Sequence, residues 1–125
     1  DIYIRKDYLI EDRDESGRIT LGKLPEDMPT AFVCNCDETA CMLIRKLRDM
    51  GVRVPEEVSV TGFDNSVYSS LSDPKITTVE VNTELMSRLA VDALLKKITK
   101  PGTVIGRIMV NGSIVYKNSV RAIKT

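Results

Sequence analysis

The stretch that decides the fold is Gly51-Val52-Arg53-Val54-Pro55-Glu56-Glu57-Val58-Ser59-Val60-Thr61-Gly62-Phe63-Asp64-Asn65. Within it, Val58 to Phe63 is a candidate for a buried β-strand. Asp64 and Asn65 then come at the carboxyl end of that strand. Open α/β sheets bind their ligands at this end, so the stretch predicts a ligand site there.

The residues before this stretch predict another strand and then a helix. Ala31 to Cys34 is a short apolar run after Pro29, which suits a buried parallel strand. From Asp37 onward, apolar residues recur at helical spacing, and acidic residues occupy the first turn. Gly51 is expected to end this helix. The apolar positions are Ala40, Leu43, Ile44 and Leu47.

The residues after the stretch predict a strand, a second helix and a hairpin. The run Thr77 to Val81 is extended after Pro74, and Asn82 or Thr83 caps the helix. Asn111-Gly112 supplies the positive φ angles of a type I′ turn, so a C-terminal β-hairpin is expected there. Asn111-Gly112-Ser113 also matches a glycosylation sequon, but the turn explains the same residues. The stripe of the helix is Leu85, Met86, Leu89, Ala90, Ala93 and Leu94.

Strands and helices therefore alternate along the chain, which indicates the α/β class with a parallel sheet flanked by helices. The chain has 125 residues, of which 42% are hydrophobic, enough for one domain with a core. The polar segment from Glu11 to Gly17 is expected to be a loop.

Composition excludes several classes of partner. Eighteen Lys and Arg residues balance eighteen Asp and Glu residues, so no basic surface for DNA or anionic lipid is predicted in this chain. The apolar runs are far too short to cross a bilayer, and the first residues do not resemble a secretion signal. Three cysteines crowded between Cys34 and Cys41 do not resemble a disulfide framework, which favours a reducing, cytoplasmic location.

Two motifs resemble binding sites, and each has a simpler interpretation. Gly17, Gly22 and Lys23 approach a phosphate-binding loop, but Leu24 replaces the required Ser or Thr, so a surface loop is predicted. The cysteine cluster of Cys34, Cys36 and Cys41 could hold a soft metal, but zinc prefers four ligands and the chain has no histidine. We therefore predict buried thiols, and no metal or cofactor.

No enzyme is predicted. The chain lacks histidine, a Gly-x-Ser-x-Gly elbow and a patterned pair of carboxylates for acid–base catalysis. Asp64 has two interpretations from local pattern: its carboxylate could accept hydrogen bonds from neighbouring hydroxyls of a polyol, or it could cap backbone N–H groups in an Asx-turn.

A longer pattern resembles a known family. Pro29 to Cys34, Asp37-Glu38 with Ala40, the stretch from Gly51 to Asn65, Pro74 and Thr77-Thr78-Val79 are together similar to the effector domains of LacI/GalR-type transcription regulators. The resemblance runs in order from about Pro29 to Arg121, whereas the first 28 residues match weakly.

This resemblance implies a type I periplasmic-binding-protein-like fold, with two α/β lobes and an effector in the cleft between them. The chain is then an incomplete effector-binding domain, and the helix-turn-helix headpiece that binds operator DNA is absent. Residues 1–75 would form part of the C-terminal lobe, and residues 76–103 a crossover strand and a helix of the N-terminal lobe. Residues 104–125 would return to the C-terminal lobe. The helix would thus lack its partner, so self-association or a fold-back is expected.

The resemblance also implies site residues. Asp64 would be the hydroxyl-binding carboxylate, Cys36 occupies a position where the family often has a ligand-contacting Asn, and Asp37 and Asn65 match ligand-site positions. A thiol is a weaker hydrogen-bonding group than an amide, which is a departure from the usual sugar site. The homodimer surface would include Cys41, Arg45, Arg48, Val67, Tyr68, Ser70 and Leu71.

The predicted function is effector sensing and dimerisation in a LacI-type regulator, with a sugar or related metabolite as effector. The alternative is the solute-binding receptor of a sugar transporter, which shares the lobed fold. The sequence of residues 54–65 and the free cysteines favour the regulator.

Overall fold

The computed structural model describes residues 5–122, which form four short strands and three α-helices. A single 3-10 turn, Lys6–Tyr8, comes first. The strands are β1 Ala31–Val33, β2 Ser59–Thr61, β3 Thr78–Glu80 and β4 Ser113–Val115. The helices are α1 Asp37–Asp49, α2 Val67–Leu71 and α3 Thr83–Thr99.

The parallel pairing predicted from the alternation of elements is confirmed. β1 and β2 run parallel, with Ala31 opposite Ser59 and Val33 opposite Thr61. The other edge of β2 meets the chain that leads into β3, through a parallel bridge from Thr61 to Thr77. Both β1 and β2 therefore end at one edge of the sheet, which is where the polar residues that follow them meet.

The core lies between α1 and one face of this sheet. Ala40 and Leu47 of α1, Val60 of β2 and Ile76 have no exposed surface. The opposite face is open, because in β1 Phe32 is buried while Val33 is 87% exposed. The prediction that β1 is buried was therefore wrong for alternate residues, since α1 covers only one side of the pleat.

The predicted end of α1 is confirmed. Gly51 has a φ of +80°, and its amide donates to the carbonyl oxygen of Arg48 at 2.9 Å. A residue without Cβ adopts this left-handed conformation without steric cost. The turn sends the chain back toward Val58 and β2.

The predicted C-terminal hairpin around Asn111-Gly112 is wrong. β4 pairs antiparallel with β3, with Thr78 opposite Val115, and no second arm forms a strand in residues 104–112. Gly112 does not have the positive φ that a type I′ turn requires. A Cβ there would lie 2.6 Å from Cγ1 of Val79, so glycine lets β4 approach β3 closely.

The helix α3 is capped as predicted but has little packing. The side chain of Asn82 accepts a hydrogen bond from the amide of Leu85 at 2.9 Å. No residue of α3 is buried, although Leu89 and Ala93 are half-covered by the segment that contains Ile108. The apolar stripe thus has a partial fold-back, and most of its leucine side chains contact solvent.

The segment from Glu11 to Gly17 is a loop, as predicted. The amide of Gly17 donates to the carbonyl oxygen of Asp14 at 2.9 Å. The backbones of Arg13 and Ile19 form an isolated antiparallel β-bridge across the loop. Lys23 is exposed and pairs with Glu26, so it lies in a surface loop as predicted. No helix within residues 5–122 is long and apolar enough to cross a membrane.

Candidate ligand-binding site

The candidate site lies at the carboxyl edge of β1 and β2. Cys36 follows β1 at the start of α1, and Asp64 and Asn65 follow β2. The two strands are held in register here, since the amide of Cys34 donates to the carbonyl oxygen of Thr61 at 2.9 Å. The sheet therefore brings three of the four predicted ligand residues to one exposed edge.

Asp64 presents an exposed carboxylate at this edge. Its φ is +94°, which is rare for a residue with a side chain, and its amide donates to the carbonyl oxygen of Val79 at 2.9 Å. Among the hydrogen bonds of residues 5–122, none is donated to the Asp64 carboxylate. The Asx-turn interpretation is thus not seen in this part of the chain, and the carboxylate can accept hydrogen bonds from a ligand.

Asn65 lies beside Asp64, but its side chain is engaged with the protein. Its oxygen lies 2.9 Å from Nζ of Lys117 and 3.2 Å from Oγ of Ser69, and its nitrogen donates to Glu80 at 3.2 Å. Lysine only donates and a carboxylate only accepts, so these partners fix the orientation of the amide. One N–H of Asn65 is left for a ligand.

Asp37 lies beneath this loop and has no exposed surface. Its carboxylate accepts hydrogen bonds from the Ser66 amide and the Thr78 hydroxyl, each at 2.6 Å. Its own amide donates to the carbonyl oxygen of Phe63 at 3.0 Å. The carboxylate thus ties the start of α1 to the loop and to β3, and it offers no exposed oxygen to a ligand.

The start of α1 differs from the pattern expected for an aspartate at a helix start, where Asp37 would be the cap. The N-cap is Cys36 and Asp37 is the first helical residue, because the carboxylate of Asp37 turns inward to bond the loop instead of the helix amides. Gly62 permits this contact, since a Cβ at position 62 would overlap Oδ1 of Asp37. A glycine is required here by space alone.

Cys36 is half-buried and faces the N-terminal loop. Its thiol donates to the Thr39 hydroxyl at 3.4 Å, and the Arg13 guanidinium approaches the sulfur at 3.9 Å. Thr39 in turn donates to Asp12 at 2.8 Å. The predicted contact position therefore has a guanidinium next to it, which no local sequence pattern indicated.

The other two cysteines belong to the core. Cys34 and Cys41 are buried, which confirms the predicted buried thiols at these two positions. The same prediction was wrong for Cys36, which is only half-buried. Burial raises the pKa of the Cys34 thiol to about 12, because a buried thiolate loses its hydration. Across residues 5–122, no group of three or more cysteine or acidic side chains is arranged to hold a metal ion.

The predicted dimer surface is mostly exposed. Val67 and Leu71 of α2 are 63% and 71% exposed, and Tyr68, Ser70, Arg45 and Arg48 are exposed as well. Cys41 is the exception and must be removed from this surface, because it lies on the core side of α1 and is 4% exposed. Ser69 also points inward and is fully buried.

Three further residues near this edge were not predicted from the sequence: Ser69, Glu80 and Lys117. Their contacts with Asn65 span 4, 15 and 52 residues of the chain. Ser69 follows Asn65 at helical spacing, which was a usable signal. The position of Lys117 at this edge could not be predicted from the sequence, because it depends on the antiparallel pairing of β4 with β3.

Comparison with known proteins fits this architecture. The family model described as periplasmic binding protein-like domain matches residues 4–120. The chain belongs to the periplasmic binding protein-like domain family. Its sequence is 32% identical over 110 residues to the arabinose metabolism transcriptional repressor of Geobacillus stearothermophilus, a match that covers 87% of this chain.

Solved structures that resemble the chain include regulators with bound ligands. A complex of the transcriptional regulator CelR with cellobiose matches with a TM-score of 0.68 and 32% identity over 72% of this chain and 28% of that chain. The lac repressor dimer bound to operator and the anti-inducer ONPF matches with a TM-score of 0.68 and 30% identity, covering 75% and 32% of the two chains. Both likenesses support the resemblance to LacI-type effector-binding domains.

The chain spans 30% of the length of the arabinose repressor that it matches. Within the family it thus corresponds to a part of an effector-binding domain, and the fold is the periplasmic-binding-protein-like fold with a parallel sheet and helices.

Proposed function

We propose that the chain is part of the effector-sensing and dimerisation region of a LacI-type transcription regulator, and that its ligand is a sugar or a related metabolite. The observation that carries this proposal is the exposed, unpaired Asp64 carboxylate at the carboxyl edge of the parallel strands, within residues 5–122 of a periplasmic binding protein-like domain. An ionised carboxylate accepts hydrogen bonds from two neighbouring hydroxyls of one ligand.

The chemistry of the edge supports a hydroxyl-rich ligand. Asp64 supplies the charged acceptor, and the remaining N–H of Asn65 supplies a donor beside it. Cys36 contributes a weak hydrogen-bonding group at the helix start. Asp37 contributes indirectly, because it holds the loop that carries Asp64. Relatives named for arabinose metabolism and solved with cellobiose point to the same class of ligand.

The dimer surface is proposed on α2 and the outer face of α1. Val67 and Leu71 provide exposed apolar area, and Arg45 and Arg48 provide charge beside it. The chain would form a homodimer through these residues. Ser69 faces inward on the same helix, so α2 has one buried side and one exposed side that would face the partner.

In this proposal, effector binding favours one arrangement of the lobes because the two arrangements bind it with different affinity. The shared dimer surface passes that bias to helix-turn-helix headpieces on operator DNA. In this proposal the protein acts in the cytoplasm as a regulator and not as an enzyme.

The test is the coding sequence upstream of the codon for Asp1. A helix-turn-helix in the first part of the reading frame, about sixty codons long, is the expected result. A cleavable apolar signal segment in that place would overturn the regulator and support the solute receptor of a sugar transporter.

A further inference from the structure

The backbone that presents Asp64 needs an external support. Asp64 and Asn65 have successive positive φ angles of 94° and 50°. Asparagine tolerates this region, but an aspartate at 94° adopts it only where the surroundings hold it there. The support must come from contacts of these two residues with the rest of the chain.

The side chain of Asn65 provides such contacts on both sides. Its nitrogen donates to Oε1 of Glu80 at 3.2 Å, and its oxygen receives Nζ of Lys117 at 2.9 Å. Its backbone amide also lies 3.3 Å from the hydroxyl of Thr78. The residue is therefore clamped between β3 and the segment that follows β4.

Lys117 is the principal donor to the Asn65 oxygen. The Ser69 hydroxyl also approaches that oxygen, at 3.2 Å, but it has one hydrogen and lies 2.7 Å from the carbonyl oxygen of Ser66. The shorter bond takes the hydrogen. The hydroxyl oxygen is then free to accept from Nζ of Lys117, which lies at 2.7 Å.

One ammonium group thus joins two parts of the molecule. Through Asn65 it reaches the residue next to Asp64, and through Ser69 it reaches the buried side of α2, whose other side is exposed. The amide of Lys117 is itself held by the hydroxyl of Thr77 at 2.9 Å, which fixes the origin of the side chain.

We propose that Lys117 and Asn65 are positioning residues that hold Asp64 in its ligand-accepting conformation and fix it relative to α2. The inference rests on the proposed function for the role of Asp64 as a ligand contact. The clamp itself is a property of the protein without ligand, so the inference can be tested with no effector present.

The test is amide hydrogen exchange, measured by NMR on the protein with Lys117→Met. This variant keeps the length of the side chain and removes the donor. We expect exchange at the amides of Asp64 and Asn65 to rise at least about tenfold, as local opening becomes easier. The amide of Val52, at the far end of α1, is expected to stay unchanged.

Two control variants separate the clamp from general damage. Lys117→Arg retains a cationic donor and should restore most of the protection of Asp64. Lys97→Met removes an exposed lysine of α3 and should leave all these amides as they were. Unchanged exchange at Asp64 in Lys117→Met, or an equal rise at Val52, would overturn the proposal.

A charge substitution gives an independent check. Asn65→Asp places a second carboxylate against Glu80, and repulsion should expose the Asp64 amide to exchange. Adding Glu80→Gln replaces that repulsion with a donor, so the double variant should recover protection. If the double variant exchanges as fast as Asn65→Asp alone, the clamp between Glu80 and Lys117 is wrong. A failure of polyol binding would leave these results unchanged and would count against the proposed function only.

Discussion

The helices α1 and α3 both have an amphipathic sequence, but only α1 is packed into the core. α1 has no side-chain cap but carries seven buried residues, from Asp37 to Leu47. α3 is longer, has the Asn82 cap and an apolar stripe, and carries no buried residue. The difference shows that an amphipathic pattern predicts a helix without predicting a partner, because the pattern is local and packing is not.

The largest expected difference between the two helices is in leucine burial. Leu47→Ala should lower the free energy of unfolding by about 2–5 kcal/mol, because it opens a cavity in the hydrophobic core, where Leu47 has no exposed surface. Leu94→Ala, at a position 59% exposed, should change it by less than about 0.5 kcal/mol. Urea unfolding followed by circular dichroism measures both, and equal losses would contradict the contrast.

The next effect concerns the buried carboxylate. Asp37→Ala removes the acceptor for the Ser66 amide and the Thr78 hydroxyl, which should cost about 3 kcal/mol for two hydrogen bonds to a charged group. Asp92→Ala on the exposed surface of α3 is the matched control. Urea unfolding measures both variants, and equal midpoints would contradict the stabilising role of the Asp37 carboxylate.

A smaller effect should stay within α3. Asn82→Ala removes the hydrogen bond to the amide of Leu85 and should destabilise the helix by about 1 kcal/mol. Since α3 is not packed into the core, we expect the loss in the exchange protection of residues 85–87 and no shift in the unfolding midpoint of the α1 region. A shift of that midpoint would mean that the two regions unfold as one unit.

The smallest expected effect is a difference in chemical reactivity between two cysteines near the start of α1. Iodoacetamide at about pH 8 should modify Cys36 before Cys34, since the thiolate is the reactive form and Cys36 is half-buried. Burial raises the pKa of Cys34 to about 12, so this residue stays a protonated thiol as the pH passes 8 and ionises only far above it. Mass spectrometry of the peptides gives the order, and modification of Cys34 first would contradict its burial.

Much of the α1 region could be predicted because its signals are local. Each signal comes from residues that are close together in the sequence. The helix is indicated by the periodicity of Ala40, Leu43 and Leu47, its end by Gly51, and the next strand by the residues before Asp64. The edge that gathers Cys36 and Asp64 follows from parallel pairing alone.

The parts that could not be predicted depend on contacts between distant residues. Asn111-Gly112 has the composition of a tight turn, but β3 offered β4 a pairing that the local pattern did not reveal. The inward turn of Asp37 depends on the space left by Gly62, and the Asn65 clamp depends on a lysine 52 residues away. Local sequence patterns do not show which distant residues come into contact.

The central claim is that Asp64 is the carboxylate that binds a hydroxyl-rich effector. It is tested most directly by calorimetric titration of L-arabinose and cellobiose into protein expressed from the complete reading frame, with and without Asp64→Ala. Asp49→Ala, at the opposite end of α1, is the control. We predict binding of at least one sugar that Asp64→Ala weakens at least about thirtyfold, or about 2 kcal/mol, while Asp49→Ala leaves it unchanged. Sugar binding of equal strength in both variants, or no binding of either sugar, would contradict the account.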